Sequence, residues 1–538
     1  MGGLGLLFTS VGSIIGSGWL FGALYAAQIA GPAAIFSWLI GGVMILIIAL
    51  VYAELATMFP VSGGVVRFPH YAYGSLTSFA VGWFSWLHVV ASPAIEVIAT
   101  LQYATNYIPW LSRTGPGDTV VLTTAGYGVA AGLLLLFSVI NLLGVRMFAR
   151  ANNALVWWKL AIIAIVVIGF FIAAFHGGNF TEFGGFAPYG AHGMFSAIAS
   201  AGIVFSFLGF RQAIELAGES TNPQRAVPFA VVGSVLITAV IYVALQIAFL
   251  GAVPTGLVSD GGWAGLSFAN VFGPLAGVAG LLGLSWLAIL LYIDAMVSPL
   301  DTGFIYSAVT PRITYAMGRN RNAPRAFTLL NDRGVPWVGV VVAFVVGLLL
   351  MVPFGGWQQL VGFITSAATL SFATGPPVLA ALRRQLPEQS RPFKLPTPDV
   401  FAFLAFYAAN LIVFWTGWHT NWRLLVAVGL GFVLFALQYR LRQPGDRPSL
   451  EWKPFSWVPG WLAGLAVISG LGSFGNGAGI IGFTLAFPVI AVFSALILWW
   501  AVAARPSPEQ VRINIAHTAA AGESEAEREA IERTTGPT

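Results

Sequence analysis

Roughly fourteen stretches of about 20 apolar residues divide this chain, and that is the length a helix needs to cross the hydrocarbon core of a bilayer. They fall at residues 4–27, 33–58, 77–107, 120–145, 151–175, 197–221, 228–253, 275–309, 337–352, 358–382, 400–417, 424–439, 458–471 and 480–504. Composition agrees, because 57% of the 538 residues are hydrophobic and 8% are charged. A water-soluble domain carries about 25% charged residues, so the expected solvent is lipid and the expected class an all-α polytopic membrane protein.

The formal charge of +5 does not point to nucleic acid, because the basic residues mark membrane edges. Lys and Arg collect in cytoplasmic loops. Here Arg67, then Arg146 and Arg150, then Arg225, then Arg312, Arg319, Arg321, Arg325 and Arg333 occupy every second connection. Arg383, Arg384, Arg391 and Lys394, then Arg440, Arg442, Arg447 and Lys453, continue the alternation, against Arg113 and Arg423 in the intervening connections. Both termini are therefore expected in the cytoplasm and the chain in the cell inner (plasma) membrane. The first apolar run has no basic flank and no clear cleavage site, so it reads as a span and not as a cleaved leader. Residues 505–538 turn polar and are expected to form a cytoplasmic tail, disordered or weakly helical. With no Cys and six scattered His, no disulfide framework, thiol nucleophile or metal site is expected, and no motif for a cofactor or for catalysis is present.

Two spans carry interruptions. The first contains Gly12-Ser13-Ile14-Ile15-Gly16-Ser17-Gly18 at mid-depth, and the sixth contains Phe207-Leu208-Gly209-Phe210-Arg211. Each Gly costs up to about 1 kcal/mol in a helix, and lipid offers freed backbone groups no partner, so a break persists only where it lines a cavity. Small residues also permit close helix packing, which Gly12 and Gly16 suit by spacing. Interruptions in the first and sixth segments suggest two five-helix repeats of inverted topology, an arrangement used by transporters. The division expected is 1–176 and 177–385 for the repeats, 386–504 for additional helices that pack the rim or support a homo-oligomer, and 505–538 for the tail.

These residues resemble the amino acid-polyamine-organocation family of transporters. The likeness is carried by Gly12 to Gly18, by Tyr52-Ala53-Glu54-Leu55 with Pro60-Val61-Ser62-Gly63-Gly64, by Phe207 to Phe210 with Glu219-Ser220-Thr221-Asn222-Pro223-Gln224-Arg225, and by Arg312-Ile313-Thr314-Tyr315-Ala316-Met317-Gly318. It covers the first ten to twelve spans and is strongest toward the bacterial aspartate:proton symporter group. The resemblance implies a leucine-transporter-type fold with discontinuous first and sixth helices. It also implies that Ile15, Gly16, Ser17 and Gly18 meet the substrate's amino and carboxylate groups while Phe207, Gly209 and Phe210 shape its side-chain pocket. Many members carry an acid after the Gly-aromatic pair of the sixth helix. This chain has Arg211 there, which argues against a cationic substrate.

Intramembrane charges complete the site. Lys159 lies nine residues after Arg150, about 13 Å into its helix, where a charge needs a partner or water. It is expected either to couple protons, as the resemblance implies, or to form a permanent ion pair. Asp294 is the favoured partner and Glu96 the other acid able to relay the proton; Asp294, Ser298 and Asp301 share one helical face. Arg211 has the planar fork to hold a carboxylate or can pair with Glu215 one turn on. Glu54 is expected to pack or gate. Trp19, Trp83, Trp86 and Trp286 read as interface or packing residues, with Trp19 able to border the pocket. The function expected is proton-coupled uptake of an acidic amino acid by a secondary transporter and not an enzyme. The alternatives are a neutral amino acid or polyamine permease or exchanger, the cationic version using Glu96 or Asp294 as its anion, and a channel.

Overall fold

The computed structural model describes residues 1–115, 120–143, 148–259, 261–268, 273–354 and 356–519. Its helices run α1 (Gly3–Ile14), α2 (Gly18–Ala30), α3 (Ala34–Met58), α4 (Gly64–Tyr73), α5 (Ser75–Ala104), α6 (Thr124–Leu143), α7 (Phe148–Ala173), α8 (Gly190–Ser200), α9 (Arg211–Glu215) and α10 (Pro223–Ala252). After these come α11 (Pro274–Leu281), α12 (Ser285–Arg319), α13 (Trp337–Met351), α14 (Trp357–Ala373), α15 (Gly375–Gln385), α16 (Pro398–Thr416) and α17 (Trp418–Leu441). The last are α18 (Trp452–Phe455), α19 (Trp457–Leu471), α20 (Phe483–Ala503) and α21 (Pro508–Ala519).

Among the described residues eleven helical stretches are long and apolar enough to span a membrane, and twelve when α8 and the bent segment Phe205–Glu215 count as one crossing. One of the eleven, Gly18–Met58, holds both α2 and α3. With α1 joined to α2 and the shorter α13 added, these account for all fourteen expected crossings. The α5 stretch and the α14–α15 stretch are buried along their whole apolar windows. They form the centre of the bundle, and α6, α17 and α20 turn most of their surface outward, as lipid-facing helices do.

Several boundaries differ from expectation for identifiable reasons. The start of the fourth apolar run, Val120–Leu122, is a strand, β2, paired antiparallel with β1 (Ser112–Thr114); its β-branched residues suit a hairpin outside the span. The eighth run divides into α11 and α12 at Gly283, whose φ of +74° stops a helix. The tail is not uniformly loose. In α21, Val511 and Ile515 stand one turn apart and are fully buried, and the Asn514 amide donates to the His70 carbonyl at 3.2 Å. Residues 520–538 lie outside the described ones.

Candidate functional site

Helix α1 stops at Ile14 and α2 begins at Gly18, so the first span is broken where three glycines and two serines cluster. The freed carbonyls are answered one by one, as buried backbone requires. The Gly12 carbonyl accepts from Lys159 Nζ at 2.9 Å and Thr302 Oγ1 at 3.1 Å. Ile14 takes the Tyr242 hydroxyl at 3.2 Å, and Ile15 takes Thr302 at 3.2 Å. On the other side of the break, the Ser17 N–H donates to Glu96 Oε2 at 2.7 Å. Gly16 sits close against both neighbours: a Cβ would fall 2.6 Å from Glu96 Oε1 and 2.9 Å from Thr302 Cγ2, the ends of two side chains.

The sixth span breaks earlier than expected. Its bend of 44° lies between Ser200 and Phe205 at Gly202, whose φ is +88°, and Phe205–Phe210 forms a 3₁₀ helix leading into α9. Gly209 is a contact point instead of the bend. A Cβ on it would lie 2.5 Å from the Ser13 carbonyl carbon and 2.9 Å from Ile14 Cα, so the two interrupted spans meet backbone to backbone. The Ser206 side chain packs against Gly18, where a Cβ would lie 3.1 Å from Ser206 Cβ.

Lys159 on α7 reaches into this junction, fully buried, and its ammonium sits 2.6 Å from Asp301 Oδ2 on α12. Asp301, not Asp294, is therefore its partner. Asp294 lies seven residues before Asp301, about 10 Å along the helix axis; its Oδ1 instead accepts from Trp158 Nε1 at 2.9 Å and from Ser298 Oγ at 2.7 Å. Glu96 does join the break, through Ser17 and Gly16. One ammonium, two carbonyls and a hydroxyl thus converge where the first span unwinds.

Arg211 is buried and turned to Glu215. Its Nε lies 2.9 Å and its Nη2 2.8 Å from Glu215 Oε1, and Nη1 is 3.5 Å from His88 Nδ1. The geometry brings out the internal pair of the two roles expected for Arg211. The Gly63 N–H, which begins α4, bonds the Glu215 carbonyl at 3.0 Å and closes the site on that side. On the opposite side Trp357 caps it. Its indole N–H donates to Ser17 Oγ at 2.7 Å, and its ring stacks on Phe21 at 5.0 Å and Tyr25 at 5.6 Å. The sequence signals neither Trp357's place nor Asp301's pairing: an indole at the start of a span reads as an interface residue, and only the packing of α14 shows otherwise. Trp19 is fully buried. Ile15, Gly16, Ser17, Gly18, Phe207, Gly209 and Phe210 are all buried, so this conformation is closed.

Glu54 stands apart from the junction. It holds Arg383 through two bonds of 2.7 and 2.6 Å and the Leu395 N–H at 2.8 Å, clamping α3 to α15. Nearby in the 386–397 connection, burial and the Arg383 charge lower the Arg391 pKa from its ordinary value, and Glu54 opposes them.

A helical membrane protein whose two interrupted spans meet at a closed, polar, mid-bundle site has the architecture of a secondary transporter. The amino acid permease family model matches residues 1–438, and the chain belongs to that family within the amino acid-polyamine-organocation group. It is 38% identical over 508 residues to the glutamate/serine transporter AimA of Bacillus subtilis, covering 93% of each chain. It is 34% identical over 500 residues to the aspartate-proton symporter of the same organism, covering 92% of this chain and 94% of that one. A branched-chain amino acid permease, BcaP, also of Bacillus subtilis, matches at 26% over 456 residues, 82% of this chain and 93% of its own.

Proposed function

We propose that this amino acid permease couples inward movement of protons to uptake of an acidic amino acid. The observation that carries the reading is the Lys159 ammonium, held by Gly12 O, Thr302 Oγ1 and Asp301 at the break of the first span. A cation fixed there ties α1 to α7 and α12, and an ionisable side chain inside the membrane marks an ion or proton pathway. Loss of the ammonium's proton would free the break to move, which links the proton to the opening of the site.

In this reading the substrate's carboxylate uses the N–H groups at the start of α2, near Ile15, Gly16, Ser17 and Gly18, where a helix N-terminus favours an anion. It competes there with Glu96. The Ser13 hydroxyl, buried with no partner among the described residues, adds a donor at the same break. Phe207, Gly209 and Phe210 bound the side-chain space, and Arg211 supplies positive charge beyond it. The names of the glutamate/serine and aspartate-proton relatives support acidic substrates. The chain would sit in the plasma membrane with both termini inside, as the alternation of basic loops implies.

A second reading, a carrier of small neutral amino acids, is favoured by one observation: the Arg211 charge is already matched by Glu215. Both are tested by reconstituting the full chain in liposomes with an inward proton gradient. Labelled aspartate is then supplied with unlabelled glutamate, serine, alanine, lysine or putrescine as competitor. Proton-dependent accumulation blocked by glutamate alone is the expected result. Blocking by serine and alanine selects the second reading, and accumulation indifferent to the gradient overturns the coupling.

A further inference from the structure

We propose that Asp294 and Ser298 form a proton path along one face of α12 that delivers protons to Lys159, with Asp294 the group that takes them up. The inference rests on the proton-coupled reading and adds the route.

The residues lie in register. Asp294, Ser298, Asp301 and Thr302 follow spacings of four, three and one, which place them on one helical face. All are buried, Asp294 and Ser298 completely. Helix α7 meets this face with two consecutive side chains: Trp158 donates to Asp294 and Lys159 pairs with Asp301. The two acids are thus the ends of one polar strip between α7 and α12.

Asp294 has the state a relay group needs. Its Oδ1 accepts the Trp158 indole N–H and the Ser298 hydroxyl, while Oδ2 is buried without a partner, and no ion pair holds it among the described residues. The charged or titratable groups facing it are Lys159 from α7, Asp301 from its own helix and Tyr103 from α5; Glu96 of α5 is committed to Ser17. A buried carboxylate with no cation in contact costs several kcal/mol as an anion and nothing comparable as a neutral acid. Two neutral donors on Oδ1 hold the group in place in either form.

The strip also has an outer end. From Asp294 toward the start of α12 come Tyr292, then Tyr103 and Tyr107 against its ring at 6.0 and 4.9 Å, and Tyr107 is 64% exposed. That end of α12 is opposite Arg312 and Arg319, and is the outside under the expected orientation. Inward, one helical turn of about 5–6 Å separates Ser298 from Asp301 and Thr302, a gap that the proposed path crosses through one water.

The transfer is balanced. With Lys159 neutral, the Ser298 hydroxyl turns from Asp294 Oδ1 toward the bridging water and gives it its proton, while the Asp294 carboxyl O–H breaks, leaves its electron pair on the carboxylate and passes its proton to the Ser298 oxygen. The water in turn releases a proton that forms an N–H bond on the Lys159 lone pair. The ammonium then pairs with Asp301, as seen here, and Asp294 is reprotonated from the outer side.

The test uses the full chain in proteoliposomes and two readouts: accumulation of labelled glutamate driven by a proton gradient, and counterflow of glutamate with no gradient. If glutamate is not carried, serine takes its place. Asp294→Asn keeps the shape and the Oδ1 acceptor. It is expected to lower gradient-driven accumulation at least tenfold and flatten its dependence on external pH, with counterflow retained within about threefold. Asp294→Glu should restore the pH dependence, and Ser298→Ala should slow accumulation without altering counterflow. Wild-type accumulation and pH profile in Asp294→Asn would overturn the proposal, as would equal loss of both readouts in Asp294→Asn and Asp294→Glu, the mark of a purely structural acid. If the wild-type protein itself ignores the gradient, the coupled reading fails first and the route falls with it.

Discussion

Replacing Lys159 and Asp301 singly and together measures how firmly the first break is held. At 2.6 Å the pair attracts by about 6 kcal/mol at an effective dielectric of 20. Its side chains are 0% and 2% exposed, so solvent does not screen it. Lys159→Met strands the Asp301 carboxylate, whose oxygens have no other partner among the described residues, at a cost of about 3–5 kcal/mol. Asp301→Asn strands the ammonium, though Gly12 O and Thr302 Oγ1 remain to it, so its cost falls at the lower end of that range. The double variant buries no charge and leaves an unsatisfied amide, at about 1–3 kcal/mol. The singles should therefore sum to several kcal/mol more than the double, a coupling of about 3–5 kcal/mol. Thermal midpoints of the purified proteins in detergent give the ordering, with the double variant melting above both singles. Gradient-driven uptake should vanish in all three. Additive losses would show that the pair does not hold the break, and Lys159→Met accumulating substrate against a gradient would refute the coupling role.

Gly209→Ala should abolish uptake in a protein that still elutes as folded, because the methyl meets the backbone of Ser13 and Ile14 and overpacking costs about 1–3 kcal/mol. Gly16→Ala should be milder in stability, since its methyl meets the movable ends of Glu96 and Thr302. Glu54→Gln breaks the two-bond clamp on Arg383 and should destabilise by about 3 kcal/mol, lowering the melting midpoint with substrate preference unchanged. Arg211→Ala and Glu215→Gln should shift uptake together if the pair is a gate; a change of competitor profile in Arg211→Ala alone would return Arg211 to the substrate. Trp357→Phe removes the bond to Ser17 Oγ but keeps the stack on Phe21, so substrate release should quicken, read as faster efflux from preloaded vesicles.

The crossings were legible because lipid demands runs of about 20 apolar residues, a demand stronger than any tertiary preference. The first break was legible for the same reason, since three glycines at mid-depth have few uses in a straight helix. Lys159 stood out as a charge inside an apolar run. What could not be read was the choice between acids on one face of α12: Asp294 and Asp301 differ by two turns, and the axial offset between α7 and α12 decides which one Lys159 meets. The sixth break was misplaced because Gly202 and Gly209 look alike in sequence, while only Gly202 takes a positive φ. Trp357 was hidden among many interfacial indoles.

Ser17 is where the contacts around the break meet. Its N–H is held by Glu96 and its hydroxyl by Trp357, while one turn back Gly12 O is held by Lys159. In the proposed reading, a substrate carboxylate arriving at the start of α2 would take the N–H that Glu96 now occupies and disturb the hydroxyl that anchors Trp357. The Lys159 ammonium is fixed to the same break, so in that reading its proton would set how freely α1 can follow. On the proposed function, binding, closure and proton occupancy would all act on the residues from Gly12 to Gly18 of one interrupted helix. A break so costly in a membrane persists where it lines a site, which is why the proposed function places transport on this segment.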